Sequence, residues 1–104
     1  MTTYQRSWPR VNKLLFIAYV NREEGEQKTP VLLGRTLDLS ATGVGMEVFE
    51  PVKVGSTMEL EIDLEEETFA VQGTVVHARE AEGGAFHIGI RFTAPQERLA
   101  RIGR

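Results

Sequence analysis

The amino-acid sequence predicts an all-β fold: a six-stranded antiparallel barrel with a short C-terminal helix and an extended N-terminal arm. Apolar and polar residues alternate with a period of two along most of the chain, which is typical of an antiparallel sheet with one polar face. Turn sequences separate six such runs, and only the last segment has helical spacing. At 104 residues and 41% hydrophobic content, the chain suits one domain over 1–104, with its barrel over 13–93.

The N-terminal part of the sequence predicts an arm and three strands. Residues 1–12 contain few apolar side chains and Pro9 disfavours a helix there, so we expect a flexible arm. The run KLLFIAYV at 13–20 predicts an apolar strand, and a polar loop follows it. The second strand is predicted over 31–39 and the third over 44–49, where valine and methionine share one face.

The C-terminal part predicts three more strands and the helix. The run TMELEID at 57–63 alternates apolar residues with three acidic ones. A helix is predicted over 95–102, because Pro95 falls in its first turn and apolar residues three apart follow. The apolar residues that lead the last two strands are Phe69, Val71 and Val75, then Phe86, Ile88, Ile90 and Phe92.

Composition and charge argue against several classes of protein. There is no cysteine, which leaves neither a disulfide framework nor a thiolate metal site. No apolar run approaches the roughly 18 residues of a membrane span, so we expect no membrane insertion. The net charge of −3 and the acidic strand faces argue against DNA or RNA binding, including an oligonucleotide-binding barrel.

The segment DLSATG, residues 38–43, brings a carboxylate and a hydroxyl to the end of the second predicted strand. Residues two apart on a strand face the same way, so if Leu37 and Leu39 enter the core, Asp38 and Ser40 stand together outside it. The glycine at the end of the segment, Gly43, would let a ligand approach the backbone closely. A simple turn-organising role for the two polar side chains is the other interpretation.

The segment RSWPR supplies two arginines, Arg6 and Arg10, on the extended arm. Their guanidinium groups can offer bidentate hydrogen bonds to phosphates or to the O6/N7 edge of a purine. The alternative is a solubilising basic tail with Trp8 packed against the barrel.

Taken together, the R-x-x-x-R pair at Arg6 and Arg10 and the D-x-S-x-x-G motif at Asp38, Ser40 and Gly43 resemble the PilZ domain family. The segments PRV, EPVKVGSTMELEIDL and GTVVHA…GIRF also fit, so the resemblance covers nearly the whole chain. It implies a PilZ-type β-barrel that binds the bacterial second messenger cyclic di-GMP. It assigns the ligand contacts to those five residues: the carboxylate accepts from guanine N1–H and N2–H, and the arginines bind O6, N7 or phosphate.

Two positions depart from the family pattern. Gln5 stands where many members have a further arginine, a position that affects whether one ligand or an intercalated ligand dimer is held. His77 stands where many members have a tryptophan, and its ring could stack on a guanine. Because His77 is in phase with Val75 and the other core residues of its strand, the pattern slightly favours a packed rim position over a ligand contact.

Nothing in the sequence indicates catalysis or a bound metal. The two histidines, His77 and His87, lack the spacing of a zinc site. Ser40 has no histidine base or oxyanion hole in its motif, so we do not expect an enzyme, nor a cofactor besides the ligand.

The resemblance therefore predicts a cytoplasmic bacterial receptor for cyclic di-GMP that changes conformation on binding and regulates a downstream protein partner. Outputs of this kind are motility, polysaccharide or biofilm formation, and the receptor would be a monomer or weak homodimer. The alternative is a PilZ-like adaptor that binds proteins and no nucleotide.

Overall fold

The computed structural model describes residues 16–23, 26–27, 31–64 and 67–102. Its elements are β1 (Phe16–Glu23), β2 (Glu26–Gln27), β3 (Leu32–Leu39), β4 (Gly43–Val48), β5 (Thr57–Leu64), β6 (Glu67–Glu80), β7 (Phe86–Phe92) and helix α1 (Glu97–Ile102), with a 3-10 turn at Glu82–Gly84. Among these residues, no helix is long and apolar enough to cross a membrane.

Six long strands close into an antiparallel barrel, as predicted. The strand order is β2-β1-β3-β4-β7-β6-β5, and β1 also pairs with β5, which closes the sheet on itself. Closure removes the open edges that a sheet would otherwise expose to other chains. The short strand β2 pairs with the end of β1 inside the segment predicted as a polar loop, where no apolar alternation marks a strand.

The barrel core contains the residues that the period-two pattern selects. The alternating runs of β4 and β5 bury their apolar side chains, and the acidic residues of β5 face solvent. The buried cluster comprises Ile17, Tyr19, Leu39, Val44, Met46, Val48, Met58, Leu60, Ile62, Phe69, Val71, Val75, Ile88, Ile90, Phe92 and Leu99. Burial, with a smaller effect of the Glu50 charge, raises the pKa of Tyr19 to about 12, so its hydroxyl stays protonated at neutral pH.

Two β-bulges interrupt the alternation on neighbouring parts of the sheet. The register between β3 and β4 shifts between Thr36 and Asp38, and that between β6 and β7 shifts after Val75. A bulge adds one residue to one strand and so reverses the phase of the residues beyond it. The extra residues, Leu37 and Val76, are each 45% exposed. Leu39 is buried, so the prediction that Leu37 and Leu39 face the same side is wrong.

The segment after β7 is tied to the turn after β3. Phe92 N–H donates to Thr42 O at 2.9 Å, and Gln96 N–H donates to Ala41 O at 2.6 Å. The helix begins two residues later than predicted because Gln96 supplies the first carbonyl acceptor, to Leu99 N–H at 3.0 Å. The Leu99 side chain is fully buried in the barrel core, which fixes the helix against it.

Candidate ligand-binding groove

The outer face of strands β3, β4, β7 and β6 carries a groove of about 660 Å³. Both bulges lie beside it, since Leu37 and Val76 are among its lining residues. Bulges often occur next to functional sites, where they re-aim side chains. The polar residues that line the groove are Asp38, Ser40, Thr42, His77, Arg79, His87 and Arg91.

Strand register aligns one row of residues across the middle of the groove. Successive cross-strand partners in this row are Asp38, Gly45, Gly89 and His77. Three strand spacings of about 4.8 Å separate the first and last Cα atoms by roughly 14 Å. The row is therefore a floor of two glycines with a carboxylate at one end and an imidazole at the other.

The two side chains at the ends of this row lean inward over the glycines. A Cβ atom added to Gly45 would lie 3.2 Å from Asp38 Oδ1, and one added to Gly89 would collide with the His77 ring. His77 is exposed, so the prediction that it shares the buried face of Val75 is wrong. The bulge at Val76 reverses the phase that His77 would otherwise share with Val75.

Ser40 lines the same groove but also organises the turn beneath it. Its side chain is buried, and its Oγ accepts from Thr42 N–H at 3.3 Å. Ser40 Oγ also lies 3.4 Å from both Thr42 Oγ1 and Gly43 O, and Ser40 N–H donates to Gly43 O at 3.0 Å. The turn-organising interpretation therefore holds for Ser40, and its contact with a ligand remains a prediction.

Gly43 is constrained by the neighbouring strand. It lies opposite Arg91 of β7, and a Cβ atom added to it would collide with the carbonyl oxygen of Ile90. A glycine therefore allows β4 and β7 to pair closely at the groove. The sequence interpretation, which assigned this glycine to ligand approach, missed this packing reason.

A chain of polar contacts borders the groove one row away. Arg35 Nε donates to Glu47 Oε1 at 2.5 Å, His87 Nε2 donates to Glu47 Oε2 at 3.2 Å, and Arg79 donates to His87 Nδ1 at 3.3 Å. Because arginine can only donate and a carboxylate accepts, the geometry of these contacts matches an imidazole that donates from Nε2 and accepts at Nδ1. The hydrogen bond from Arg35, followed by that from His87, lowers the pKa of Glu47.

The charge of the groove differs from that of the protein as a whole. The chain has a net charge of −3, yet Asp38 is the single carboxylate among the described residues that line the groove. Two arginines, Arg79 and Arg91, line its β6–β7 side. Sequence reasoning missed both, although Arg91 occupies a polar position in an alternating apolar strand, which predicts an outward side chain.

The structure brings together Asp38, Ser40, Gly43 and His77 of the predicted site. The other predicted positions, Gln5 and the arginines of the arm, lie outside the described residues, so their roles remain predictions. Within the described ranges, no group of three or more histidine, aspartate or glutamate residues is arranged to hold a metal ion.

Comparisons with known proteins agree with this architecture. A family model described as PilZ domain matches residues 4–104. The Bacillus subtilis inhibitor of motility, MotI/DgrA, is similar in structure with a TM-score of 0.70 and 16% identity; the match covers 94% of this chain and 49% of that protein. The PilZ domain of Escherichia coli YcgR, solved with c-di-GMP, is also similar, with a TM-score of 0.67 and 18% identity. This match covers 94% of the present chain and 87% of the YcgR domain. Comparison with curated proteins found no match.

Proposed function

The chain belongs to the PilZ domain family, and we propose that it is a receptor for cyclic di-GMP that binds this ligand in the groove beside Asp38. The observation that carries the proposal is the groove itself. Asp38, Ser40 and Gly43 all line it. The solved YcgR domain with c-di-GMP adds support from a protein of the same fold.

The chemistry of the groove is complementary to a guanine nucleotide. Asp38 can accept hydrogen bonds from guanine N1–H and N2–H, and the His77 ring, which lies over Gly89, offers a planar surface on which a base can stack. Arg6 and Arg10 would approach from the arm and bind phosphate or the O6/N7 edge. The donor edge of guanine then meets a carboxylate acceptor, and its acceptor edge or the phosphates meet arginine donors.

Binding would regulate a downstream protein partner in the bacterial cytoplasm, with motility, polysaccharide or biofilm formation as the output. The MotI/DgrA protein, named as an inhibitor of motility, supports motility as the first output to examine. This chain spans about half of that protein.

Isothermal titration calorimetry of the whole chain with cyclic di-GMP tests the receptor directly, with GMP and cyclic di-AMP as controls. We expect saturable binding of cyclic di-GMP and much weaker binding of both controls. An absence of heat with cyclic di-GMP, confirmed by equilibrium dialysis, would contradict the receptor and favour the nucleotide-independent adaptor.

Asp38→Ala should weaken cyclic di-GMP binding by roughly 10- to 100-fold, because two guanine donors lose a charged acceptor. Discrimination against cyclic di-AMP should fall as well. Asp38→Asn retains one acceptor and should recover only part of the affinity. Calorimetry measures both effects, and thermal unfolding monitors the fold. If Asp38→Ala unfolded the barrel while its folded fraction still bound tightly, Asp38 would be a turn organiser.

We also expect the N-terminal arm to become ordered on binding. Arg6 and Arg10 repel each other, and negatively charged ligand phosphates would remove this repulsion. Ordering a segment over a bound ligand creates a new surface for a partner. Trp8 is the only tryptophan in the chain and reports on this segment. Its fluorescence should change along the calorimetric saturation curve, and hydrogen exchange of residues 4–12 should slow. Equal exchange with and without ligand would contradict the switch.

A further inference from the structure

Arginines on the described strands and helix differ in their pairing according to where they lie. Those away from the groove with a described partner are paired with carboxylates: Arg22 with Glu59, Arg35 with Glu47, and Arg98 with Glu67. The two that line the groove are not. Arg79 contacts His87, and Arg91 makes no ion pair or side-chain hydrogen bond with any residue that the structure describes. An acidic protein thus leaves uncompensated cations on one wall of its groove.

Arg91 is positioned to reach the floor of the groove. It lies two residues beyond Gly89 on the same face of β7, or roughly 7 Å along the strand. Its cross-strand neighbour on β4 is Gly43, which carries no side chain. On the other side it pairs with the small residue Thr74. No bulky cross-strand neighbour therefore blocks the guanidinium from turning toward the floor.

The two walls of the groove offer opposite hydrogen-bonding chemistry. The β3 wall presents the carboxylate of Asp38, which accepts. The β6–β7 wall presents two arginines, which only donate, and the ring of His77. Cyclic di-GMP contains two guanines, and Asp38 can take the N1–H and N2–H edge of only one. The second guanine has an acceptor edge at O6 and N7, which matches an arginine fork.

We propose that Arg91 binds the second guanine of cyclic di-GMP through its O6/N7 edge, and so determines the specificity of the β6–β7 wall. This inference rests on the proposed function and adds a contact that the two sequence motifs do not contain. A mixed cyclic dinucleotide, with one guanine and one adenine, would place its guanine at Asp38. Its adenine would present an N6 amino donor to Arg91, so the arginine would lose an acceptor.

Calorimetry with cyclic di-GMP and with 3′,3′-cyclic GMP–AMP tests this assignment on the whole chain. The unmodified protein should prefer cyclic di-GMP by roughly 10- to 100-fold. Arg91→Ala should weaken cyclic di-GMP binding about tenfold or more and remove most of that preference. Arg91→Gln should shift the preference toward the mixed ligand, because glutamine pairs with adenine N6 and N7. Lys53→Ala, an exposed cation outside the groove, is the matched control and should change neither affinity.

Other results would distinguish a failure of the receptor proposal from a failure of the Arg91 assignment alone. If the unmodified protein binds neither ligand, the receptor itself is contradicted. If it binds cyclic di-GMP and the Arg91 variants bind equally well, only the role of Arg91 is overturned. Equal losses for both ligands in Arg91→Ala and Arg91→Gln would mean a phosphate contact, which also overturns the guanine assignment. Circular dichroism and thermal unfolding of each variant verify that the barrel is intact.

Discussion

Replacing the arginines of the arm should nearly abolish cyclic di-GMP binding without affecting the barrel. A hydrogen bond to a charged group typically contributes about 1.5–3 kcal/mol, so Arg6→Ala or Arg10→Ala should each lower affinity by roughly 10- to 150-fold. The double variant should show no measurable binding in the same calorimetric titration. Thermal unfolding should be unchanged, because both residues precede the first strand of the barrel.

The matched control is Arg22→Ala, which also removes one positive charge from the surface. Arg22 lies on β1 and pairs with Glu59 at 3.0 Å, outside the groove. An exposed ion pair of this kind contributes at most about 1 kcal/mol to stability, so the variant should fold and bind normally. If Arg6→Ala or Arg10→Ala bound as well as Arg22→Ala, the arm would be a solubilising tail.

Much of the fold could be predicted because one face of nearly every strand is apolar. In β5, for example, Met58, Leu60 and Ile62 are buried, and the residues between them are exposed. Each strand of a barrel has alternating interior and exterior residues, so this sequence pattern predicts the barrel. The short strand β2 could not be predicted, because it is held by pairing to β1 and no apolar alternation marks it.

The prediction of which strand face a residue occupies failed where the strands bulge. Counting alternate positions placed Leu37 on the side of Leu39 and His77 on the side of Val75, yet Leu37 and His77 are both exposed. An inserted residue reverses the count, and no local sequence feature marks its position. Asp38 was placed correctly because it directly precedes Leu39, which enters the core beyond the bulge. The outward position of a motif residue is thus secure only relative to neighbours on the same side of a bulge.

Only the part of the candidate site that lies within one sequence motif could be predicted. Asp38 and Ser40 belong to one contiguous segment, so their common location follows from the strand that ends there. Arg91 and His77 reach the same groove only through the pairing of β6 with β7 and of β7 with β4. Cross-strand register is a long-range property, and one sequence does not specify which exposed arginine it brings to the groove.

Gly43→Ala should destabilise the barrel even without ligand, by about 1–3 kcal/mol, as is typical when a side chain is forced into a packed site. The new methyl group would collide with the backbone carbonyl of Ile90, which cannot rotate away because β4 and β7 are paired on both sides of it. For a domain of this size, the melting temperature should fall by roughly 5–20 °C. Thermal unfolding followed by circular dichroism measures the change.

Gly45→Ala separates this packing role from a role in binding. Its methyl group would meet the carboxylate of Asp38, the end of a side chain that can rotate, at 3.2 Å. Stability should therefore change little, while cyclic di-GMP affinity should fall because Asp38 is displaced from its place over the floor. If Gly43→Ala were as stable as Gly45→Ala and lost only affinity, then close approach of the ligand would explain the glycine, as its motif suggests. A loss of stability without ligand would instead show that the D-x-S-x-x-G glycine is required first by the pairing of β4 with β7.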